Sequence, residues 1–392
     1  MYIKRLIKRE LQKALSMFPA VLVTGPRQSG KTTFLLHEFG KSYQYVNMED
    51  PIERNFAQSD PNGFLDRFED KAVILDEIQY VPEMFSYIKI RIDRNRNKMG
   101  KWLFTGSQQF SLMKNITESL AGRIAIFELL PFSILEYKKQ NIKDAIWNSF
   151  FPEPCIYPAK RDLWIRSYIQ TYIERDVRQL LNIKDLHAFE TFLGLCATYN
   201  GQVFNASQLS KKCGVSVPTI KSWASILEAS YLCFFLQPYY KNYGKRLIKS
   251  PKLYFLDPAI VCELTRQPDA DAAISGAMAG SLFEELIINE TVKLFTMLER
   301  RRDIFFWRSH DGLEVDLIIQ IGEKLCPIEI KLTSTPLEGH LKSLEKFKVL
   351  AGKDAAKEGV LVCRVNETIK LPYNNMAIPW FKFSEWVRNL LS

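Results

Sequence analysis

The chain has 392 residues, of which 47% are apolar, and it carries a formal net charge of +9 with an isoelectric point near 9.0. This length predicts two or three domains, and the apolar fraction is sufficient to form buried cores. The charge favours a polyanionic partner such as a nucleic acid or an acidic membrane surface. No apolar run approaches the length of a membrane span, which argues against an integral membrane protein.

The seven cysteines are scattered and never spaced C-x-x-C, and only four histidines are present. This usage predicts reduced thiols in a cytoplasmic protein and argues against a disulfide framework or a zinc site. Residues 1–15 are basic but lack the apolar core of a signal peptide, and their helical periodicity predicts an amphipathic helix on the first domain. Its basic residues are interpreted as a solvated face, although an anion contact stays open: Lys4, Arg5, Lys8, Arg9 and Lys13.

An apolar strand, a glycine-rich loop and a helix follow one another in residues 21–33. The loop fits G-x-x-x-x-G-K-[ST] at every fixed position, a pattern whose backbone N–H groups cradle phosphate oxygens. Lys31 is predicted to reach the β- and γ-phosphates, and the Thr32 hydroxyl to ligate Mg²⁺. The predicted nucleotide-binding residues are Gly25, Pro26, Arg27, Gln28, Ser29, Gly30, Lys31, Thr32 and Thr33.

Residues 72–77 contain four apolar residues followed by two carboxylates, which predicts a buried parallel strand with its acidic end at the nucleotide. Asp76 is predicted to hold Mg²⁺, and Glu77 to orient and deprotonate the attacking water. The alternative is an ordinary strand end with surface acids. A polar residue at the tip of the next predicted strand, Thr105 or Ser107, is a candidate to contact the γ-phosphate or the water.

Arginines further along the chain are candidates to complete the nucleotide site. Arg123 closes a predicted helix, and it is either an arginine finger acting on a neighbouring subunit or a surface arginine that caps the helix. A finger acting in trans requires a homo-oligomer. Arg175 and Arg178, on a long predicted helix in the middle of the chain, are alternatives.

Five segments of the chain resemble a bacterial and archaeal group of AAA-type ATPases. They are G-P-R-Q-x-G-K-T-T at 25–33, L-D-E-I-Q at 75–79, T-G-S at 105–107, A-G-R at 121–123 and P-F-S at 131–133. The resemblance implies an AAA-type P-loop fold for residues 1–135 and ATP, with Mg²⁺, as the cofactor. It does not imply a particular substrate.

The middle region, residues 136–268, opens with a predicted connector and a long helix. Residues 205–230 then predict two helices joined by a glycine turn, with Ser216 as the N-cap of the second. Two β runs follow, so the pattern is typical of a winged helix with a basic wing. The residues predicted to contact DNA are Thr219, Lys221 and Ser222 on the second helix and Lys241, Lys245, Arg246 and Lys249 in the wing. The alternative is a packing or lid module.

Residues 269–392 predict a flexible hinge over 269–280, a helix N-capped by Ser281, and three strands. The layout resembles the PD-(D/E)XK nucleases, and the motifs W-R-x-x-x-G-x-E-V-D and I-E-I-K are also found in the ATPase group. The resemblance implies a metal site of Glu284, Asp316 and Glu329, with Lys331 positioning water. Whether the site cleaves stays open, because nuclease-like domains appended to ATPases are often inactive scaffolds.

The sequence therefore predicts an α/β protein with an AAA-type ATPase core, a helical and winged-helix domain, and a restriction-endonuclease-like domain. The favoured function is a Mg²⁺-dependent ATPase that remodels or translocates on nucleic acid, including branched DNA. Three rival functions stay open: an ATP-dependent nuclease, an ATP-gated switch that binds DNA or protein without mechanical work, and a protein-only assembly.

Overall fold

The computed structural model describes residues 1–107, 116, 119–139, 141–172, 186–240 and 250–391. The chain divides into two units. The first contains Met1–Phe132 with two short segments, Ala229–Tyr231 and Phe295–Arg300, and the second contains the other residues from Ser133 onwards.

A five-stranded parallel sheet forms the centre of the first unit. Its strands are β1 (Ala20–Thr24), β2 (Tyr43–Asn47), β3 (Ala72–Asp76), β4 (Trp102–Gly106) and β5 (Ile124–Glu128). Their order is β2-β3-β4-β1-β5, and every neighbouring pair is parallel. The predicted strands are confirmed within about a residue. The order places the phosphate-loop strand β1 beside β4, whose other neighbour is the acidic strand β3.

The helices of the first unit cover this sheet. They are α1 (Lys8–Met17), α2 (Lys31–Phe39), α3 (Pro51–Ser59), α4 (Pro61–Asp66) and α5 (Met84–Arg94). Leu11 and Ala14 of α1 belong to the same buried cluster as residues of β1, which confirms the predicted packing. The predicted helix starts too early, because residues 1–5 are not helical.

The second unit begins with helices where the sequence predicts a connector. Its first elements are α6 (Ile142–Trp147), α7 (Pro152–Ile156), α8 (Arg161–Tyr172) and α9 (Leu186–Thr198). The polar residues and prolines of the predicted connector act here as helix-start signals. The Asn141 side chain accepts from the Asp144 N–H, and Pro152 lies in the first turn of α7.

Two helices and a strand pair follow as predicted. Helix α10 (Ala206–Cys213) ends at Gly214, whose φ of +68° is a left-handed conformation that glycine favours. Helix α11 (Val217–Ala229) starts after Ser216, whose Oγ accepts from the Thr219 N–H at 3.2 Å. Strands β6 (Cys233–Leu236) and β7 (Lys252–Phe255) then pair antiparallel.

Helices α12 (Pro258–Leu264), α13 (Ala270–Ser275) and α14 (Ala279–Met297) lead into a six-stranded mixed sheet. Residues 269–280 are predicted as a hinge, but Asp269 caps α13. Ser281 lies inside α14 rather than at its N-cap, and its hydroxyl donates to the Met278 carbonyl. Both predictions are wrong because the small residues of this stretch also suit helices.

The mixed sheet has the order β12-β13-β11-β10-β9-β8. Its strands are β8 (Ile304–Arg308), β9 (Glu314–Ile321), β10 (Lys324–Ile330), β11 (Gly359–Cys363), β12 (Ile369–Leu371) and β13 (Asn375–Pro379). The three predicted strands are confirmed as β8, β9 and β10, and each neighbouring pair among them is antiparallel. Helices α15 (Lys342–Ala351) and α16 (Trp380–Leu391) complete the unit.

All seven cysteines are free thiols, and six of them are buried. Within the described ranges, no helix has both the length and the apolar character needed to cross a membrane.

Candidate functional site

The loop between β1 and α2 adopts a conformation that depends on its two glycines. Gly25 has a φ of +141°, and a Cβ at this position would lie 2.4 Å from the Leu129 carbonyl oxygen. Gly30 has a φ of +90° immediately before α2 begins at Lys31. A side chain at either position would strain the turn that brings the loop N–H groups to the start of α2. The two glycines of the sequence pattern are therefore required by the backbone conformation of this loop.

Arg5 joins this loop to the N-terminal segment. Its guanidinium donates to the Ser29 carbonyl at 3.1 Å and to the Leu130 carbonyl, and it lies 4.8 Å above the centre of the Phe132 ring. The side chain is buried, so the sequence interpretation of Arg5 as part of a solvated basic face is wrong. The helical periodicity assigns arginines to the exposed face, so it gives no signal for an arginine that is buried against backbone carbonyl groups.

Lys31 and Ser29 lie buried inside the loop. The Lys31 ammonium group donates to the Pro26 carbonyl at 2.8 Å and to the Gly25 carbonyl at 3.1 Å. Burial lowers the Lys31 pKa to about 8, although the charges of Glu77 and Asp76 oppose this shift. The buried Ser29 hydroxyl has no hydrogen-bond partner. The loop thus contains a cation and a polar group that an anion would satisfy.

Asp76 is the centre of a hydrogen-bond cluster at the carboxyl end of β3. The Thr32 hydroxyl donates to its carboxylate at 2.9 Å, the Tyr45 hydroxyl at 2.8 Å, and the Thr105 hydroxyl also donates to it. Asp76 is buried, and burial together with Asp76 itself raises the Tyr45 pKa. Three predicted residues, Thr32, Asp76 and Thr105, therefore lie together. The sequence gives no signal for Tyr45, because its role depends on β2 lying next to β3.

Glu77 follows β3 in a left-handed conformation, with a φ of +53°. Its N–H donates to Thr105 Oγ1 at 2.9 Å, and its carboxylate accepts from the Ser107 hydroxyl at 3.1 Å and from the Gln79 amide. A non-glycine residue in this region is strained, and such strain is typical of functional sites. Both sequence candidates at the tip of β4, Thr105 and Ser107, thus hold Glu77.

These residues fit ATP and Mg²⁺. The loop has no room for a Cβ at Gly25, and the Ser29 hydroxyl lacks a partner, as expected where backbone approaches a phosphate chain. The Thr32 hydroxyl and the Asp76 carboxylate lie within hydrogen-bond distance of each other, so one cation can reach both.

The residues predicted to contact nucleic acid fall into two groups. Lys221 and Ser222 are exposed on α11, and Thr219 is partly exposed near its start. Lys241, Lys245, Arg246 and Lys249 lie outside the described residues, as do Arg175 and Arg178. Lys221 also borders a groove of about 600 Å³ between α11, the start of α10 and the β6–β7 pair.

The second predicted site brings together carboxylates from three elements of the second unit. Of the predicted carboxylates, Glu284 lies on α14, Asp316 on β9 and Glu329 on β10, and the structure adds Glu314 of β9. Lys331 follows β10, and its ammonium group lies 2.5 Å from Glu329 and 3.3 Å from Asp316. Burial and the neighbouring Asp316 charge raise the Glu329 pKa to about 7.

Lys252 of β7 is a further member of this cluster for which the sequence gives no signal. Its buried ammonium group lies 3.0 Å from Glu284 and forms an ion pair with Glu314. Burial lowers the Lys252 pKa, but the charges of Glu284, Glu314 and Asp316 raise it further, above the ordinary lysine value. Within the part of the chain that the structure describes, no group of three or more His, Cys, Asp or Glu side chains is arranged to hold a metal ion. As folded, the cluster does not fit the predicted metal, and its metal chemistry stays a prediction.

Comparison with known families supports the first site. Residues 17–138 match the family model described as an AAA domain. This match agrees with the parallel α/β fold of the first unit and supports an AAA-type ATPase. Residues 139–271 and 279–383 match two further models, each described as a domain of unknown function.

Relatives that match most of the chain are also found. An uncharacterised protein of Mycobacterium tuberculosis is 28% identical over 331 residues, covering 83% of this chain and 73% of its own. An uncharacterised protein of Methanocaldococcus jannaschii is 25% identical over 433 residues. The match covers 97% of this chain and 91% of the length of that protein. Among solved structures, a Walker-type ATPase of Pyrococcus abyssi matches with a TM-score of 0.42 and 14% identity, covering 66% of this chain and 94% of its own.

Within the first unit, Arg123 is held away from the phosphate loop of its own chain. It forms a two-pronged ion pair with Asp93 of α5, at 2.8 and 3.1 Å. Arg123 immediately precedes β5, whose first residue pairs with Ala20 at the start of β1, whereas the loop follows Thr24 at its end. Arg123 therefore lies at the amino ends of these parallel strands, and the phosphate loop lies at their carboxyl ends.

Proposed function

We propose that this chain hydrolyses ATP with Mg²⁺ at the phosphate loop. The observation that carries the proposal is the convergence of Lys31, Thr32, Asp76 and Glu77 at the carboxyl edge of the parallel sheet. Lys31 supplies positive charge for the terminal phosphates, and the loop N–H groups supply donors. These are the parts that phosphoryl transfer requires, since its catalysis rests on positioning and charge stabilisation.

Each residue has a separate part in this reaction. Mg²⁺, when bound, neutralises phosphate charge as it develops. Thr32 and Asp76 would hold this ion, because their oxygens already face each other. Glu77 would accept the proton of the attacking water, and Ser107 and the backbone contact to Thr105 fix its position.

We further propose that nucleic acid, with DNA favoured, is the partner on which ATP turnover acts, by remodelling or translocation. The observation behind this step is the exposure of Lys221 and Ser222 on α11, the second of two helices joined by a turn at Gly214, an arrangement that resembles a helix-turn-helix. The net charge of +9 agrees with a polyanionic partner. The predicted wing, residues 239–249, would add cations that contact phosphates.

The deciding experiment measures ATP hydrolysis without DNA, with single strands, with duplex and with a four-way junction. Lys31→Ala provides the blank. We expect one DNA form to raise the rate several-fold, which would identify that form as the substrate. A rate indifferent to every form would contradict the nucleic-acid proposal but leave ATP hydrolysis standing. A rate equal to the blank would contradict hydrolysis itself.

A binding experiment separates DNA contact from a packing role of α11. Lys221→Glu should weaken DNA binding and lower the salt dependence of the affinity, because one phosphate contact is lost. Lys370→Glu is the matched control, since it makes the same charge change at an exposed residue of β12. Equal effects of the two variants would favour a protein-only assembly, in which α11 only packs.

An ATP-gated switch and an ATP-dependent nuclease would behave differently in the same assays. The switch predicts tight ATP binding with turnover that DNA does not accelerate. The nuclease predicts metal-dependent DNA cleavage that Asp316→Asn abolishes while ATP hydrolysis persists. The contacts of Lys252 and Lys331 to the carboxylates weigh against cleavage by the cluster as it is folded.

A further inference from the structure

The carboxylates of the second site are already occupied as hydrogen-bond acceptors. Glu284 Oε1 accepts from both the Lys252 ammonium group, at 3.0 Å, and the Tyr254 hydroxyl. Asp316 Oδ2 accepts from the Ile330 N–H at 2.8 Å and from Lys331. A divalent metal needs the same oxygen lone pairs, so it competes with these donors.

Lys252 is the donor that competes most directly with a metal ion for these carboxylate oxygens. Its side chain is 4% exposed, and it is paired with Glu284 from α14 and Glu314 from β9. Asp316, two residues after Glu314, projects from the same face of β9 and contributes to the field around the ammonium group. The ammonium group therefore lies where three carboxylates from two elements converge.

Lys331 has a different position. Its side chain is 39% exposed, and it pairs with Glu329 and Asp316 at the edge of the cluster. Ser343 donates to the other Glu329 oxygen at 2.7 Å. The Lys331 ammonium group can turn towards solvent, although its partners Asp316 and Glu329 are buried. Lys252 is itself buried and has no path to solvent, so it is the fixed cation of the cluster.

We propose that the Lys252 ammonium group is a built-in cation that closes the carboxylate cluster to divalent metal. The described carboxylates are not arranged to hold a metal as folded, and removing Lys252 would let Glu284, Glu314 and Asp316 turn towards one ion. These three carboxylates would then keep only the more exposed cations at the edge of the cluster, Lys331 beside Asp316 and Arg308 beside Glu314. Such a group attracts a hard divalent ion, because carboxylate oxygens are its preferred ligands. This inference concerns the second unit alone and does not rest on ATP hydrolysis.

The test compares Mn²⁺ binding by the full chain and by Lys252→Met, without nucleotide, by calorimetry and by the electron spin resonance of free Mn²⁺. The variant is expected to bind one additional Mn²⁺ at least about tenfold more tightly than any binding by the unchanged chain. Mn²⁺ should then raise the melting temperature of the variant more than that of the unchanged chain, because a ligand of the folded state stabilises it.

Controls assign the ion to the cluster. Adding Glu284→Gln to Lys252→Met should abolish the additional site, whereas adding Glu323→Gln, an exposed acid in the turn between β9 and β10, should not. If Lys252→Met does not fold, Lys252→Met with Glu314→Gln removes a cation and an anion together and leaves two carboxylates for a weaker site.

Two results would overturn the inference. One is a folded Lys252 variant that gains no Mn²⁺ binding. The other needs no Lys252 variant at all: if the unchanged chain binds Mn²⁺ and Glu284→Gln removes that binding, Lys252 does not close the cluster. Both readouts are independent of ATP turnover, so neither depends on the proposed ATPase function.

Discussion

The Lys31 ammonium group links phosphate binding to pH. Burial lowers its pKa to about 8 before nucleotide binds. A phosphate chain beside it favours the charged form, so binding raises the pKa again. At a pH between the Lys31 pKa of the free chain and that of the complex, the complex holds one more proton than the free chain. The affinity for ATP therefore falls as the pH rises above 8. The loss is expected to reach about tenfold per pH unit, since one proton is involved.

Calorimetry at pH 7 to 9.5, in two buffers with different ionisation enthalpies, measures the proton uptake directly. Lys31→Arg is the control, because its guanidinium stays charged throughout this range. Proton uptake of zero at pH 8.5, or the same pH dependence in Lys31→Arg, would show that Lys31 is not the titrating group.

Glu77 can be tested separately from its neighbour Asp76. Glu77→Gln keeps the shape of the side chain but removes the base, so the hydrolysis rate should fall about 10²- to 10³-fold while ATP still binds. Asp76→Asn should instead weaken Mg²⁺-dependent ATP binding, because its oxygens face the Thr32 hydroxyl. Single-turnover hydrolysis and nucleotide-binding assays on the same samples separate the two effects. A Glu77→Gln rate near that of the unchanged chain would require a different base.

The sequence predicts most of this site because its parts are local. Lys31 and Thr32 begin the helix that follows the phosphate loop, Asp76 ends β3 and Glu77 follows it, so the pattern itself positions them. Tyr45 and Lys252 cannot be predicted, since each acts on a residue that only the strand order or the tertiary fold brings near. The helices within residues 136–160 and 269–280 are missed for another reason. In the first stretch proline and asparagine start helices as well as end them. In the second, the small residues suit a helix that Asp269 caps.

At the scale of elements, the segment before α1 holds the phosphate loop in place. Arg5 donates to two carbonyls that flank the site, one in the loop and one after β5. Arg5→Met should leave these buried carbonyls without donors, lower the stability of the domain by about 1–3 kcal/mol and weaken ATP binding. Arg5→Lys should recover only part of the effect, because an ammonium group lacks the fork of a guanidinium.

Arg9→Met is the matched control, because Arg9 is exposed one turn further along the chain. Thermal unfolding with and without ATP measures both effects. If Arg5→Met and Arg9→Met behaved alike, the contacts of Arg5 to the loop would not contribute to nucleotide binding.

At the scale of the whole molecule, Arg123 and the phosphate loop lie at opposite ends of the parallel strands. A five-residue strand spans about 13 Å, so Arg123 does not act on the nucleotide of its own chain. Its pairing with Asp93 keeps a guanidinium at the surface of the domain, where a neighbouring copy can approach it. We therefore propose a homo-oligomer in which Arg123 completes the ATP site of the next subunit.

Mixing two inactive variants tests this arrangement. Lys31→Ala subunits lack a working ATP site but keep Arg123, whereas Arg123→Ala subunits keep the site but lack the arginine. Each variant alone should hydrolyse ATP at least about tenfold more slowly than the unchanged chain. In a mixture, an Arg123→Ala site next to a Lys31→Ala subunit receives the missing guanidinium, so activity should exceed the sum of the separate samples. Additive activity, with mixed oligomers shown by native mass spectrometry, would place the function of Arg123 within its own chain.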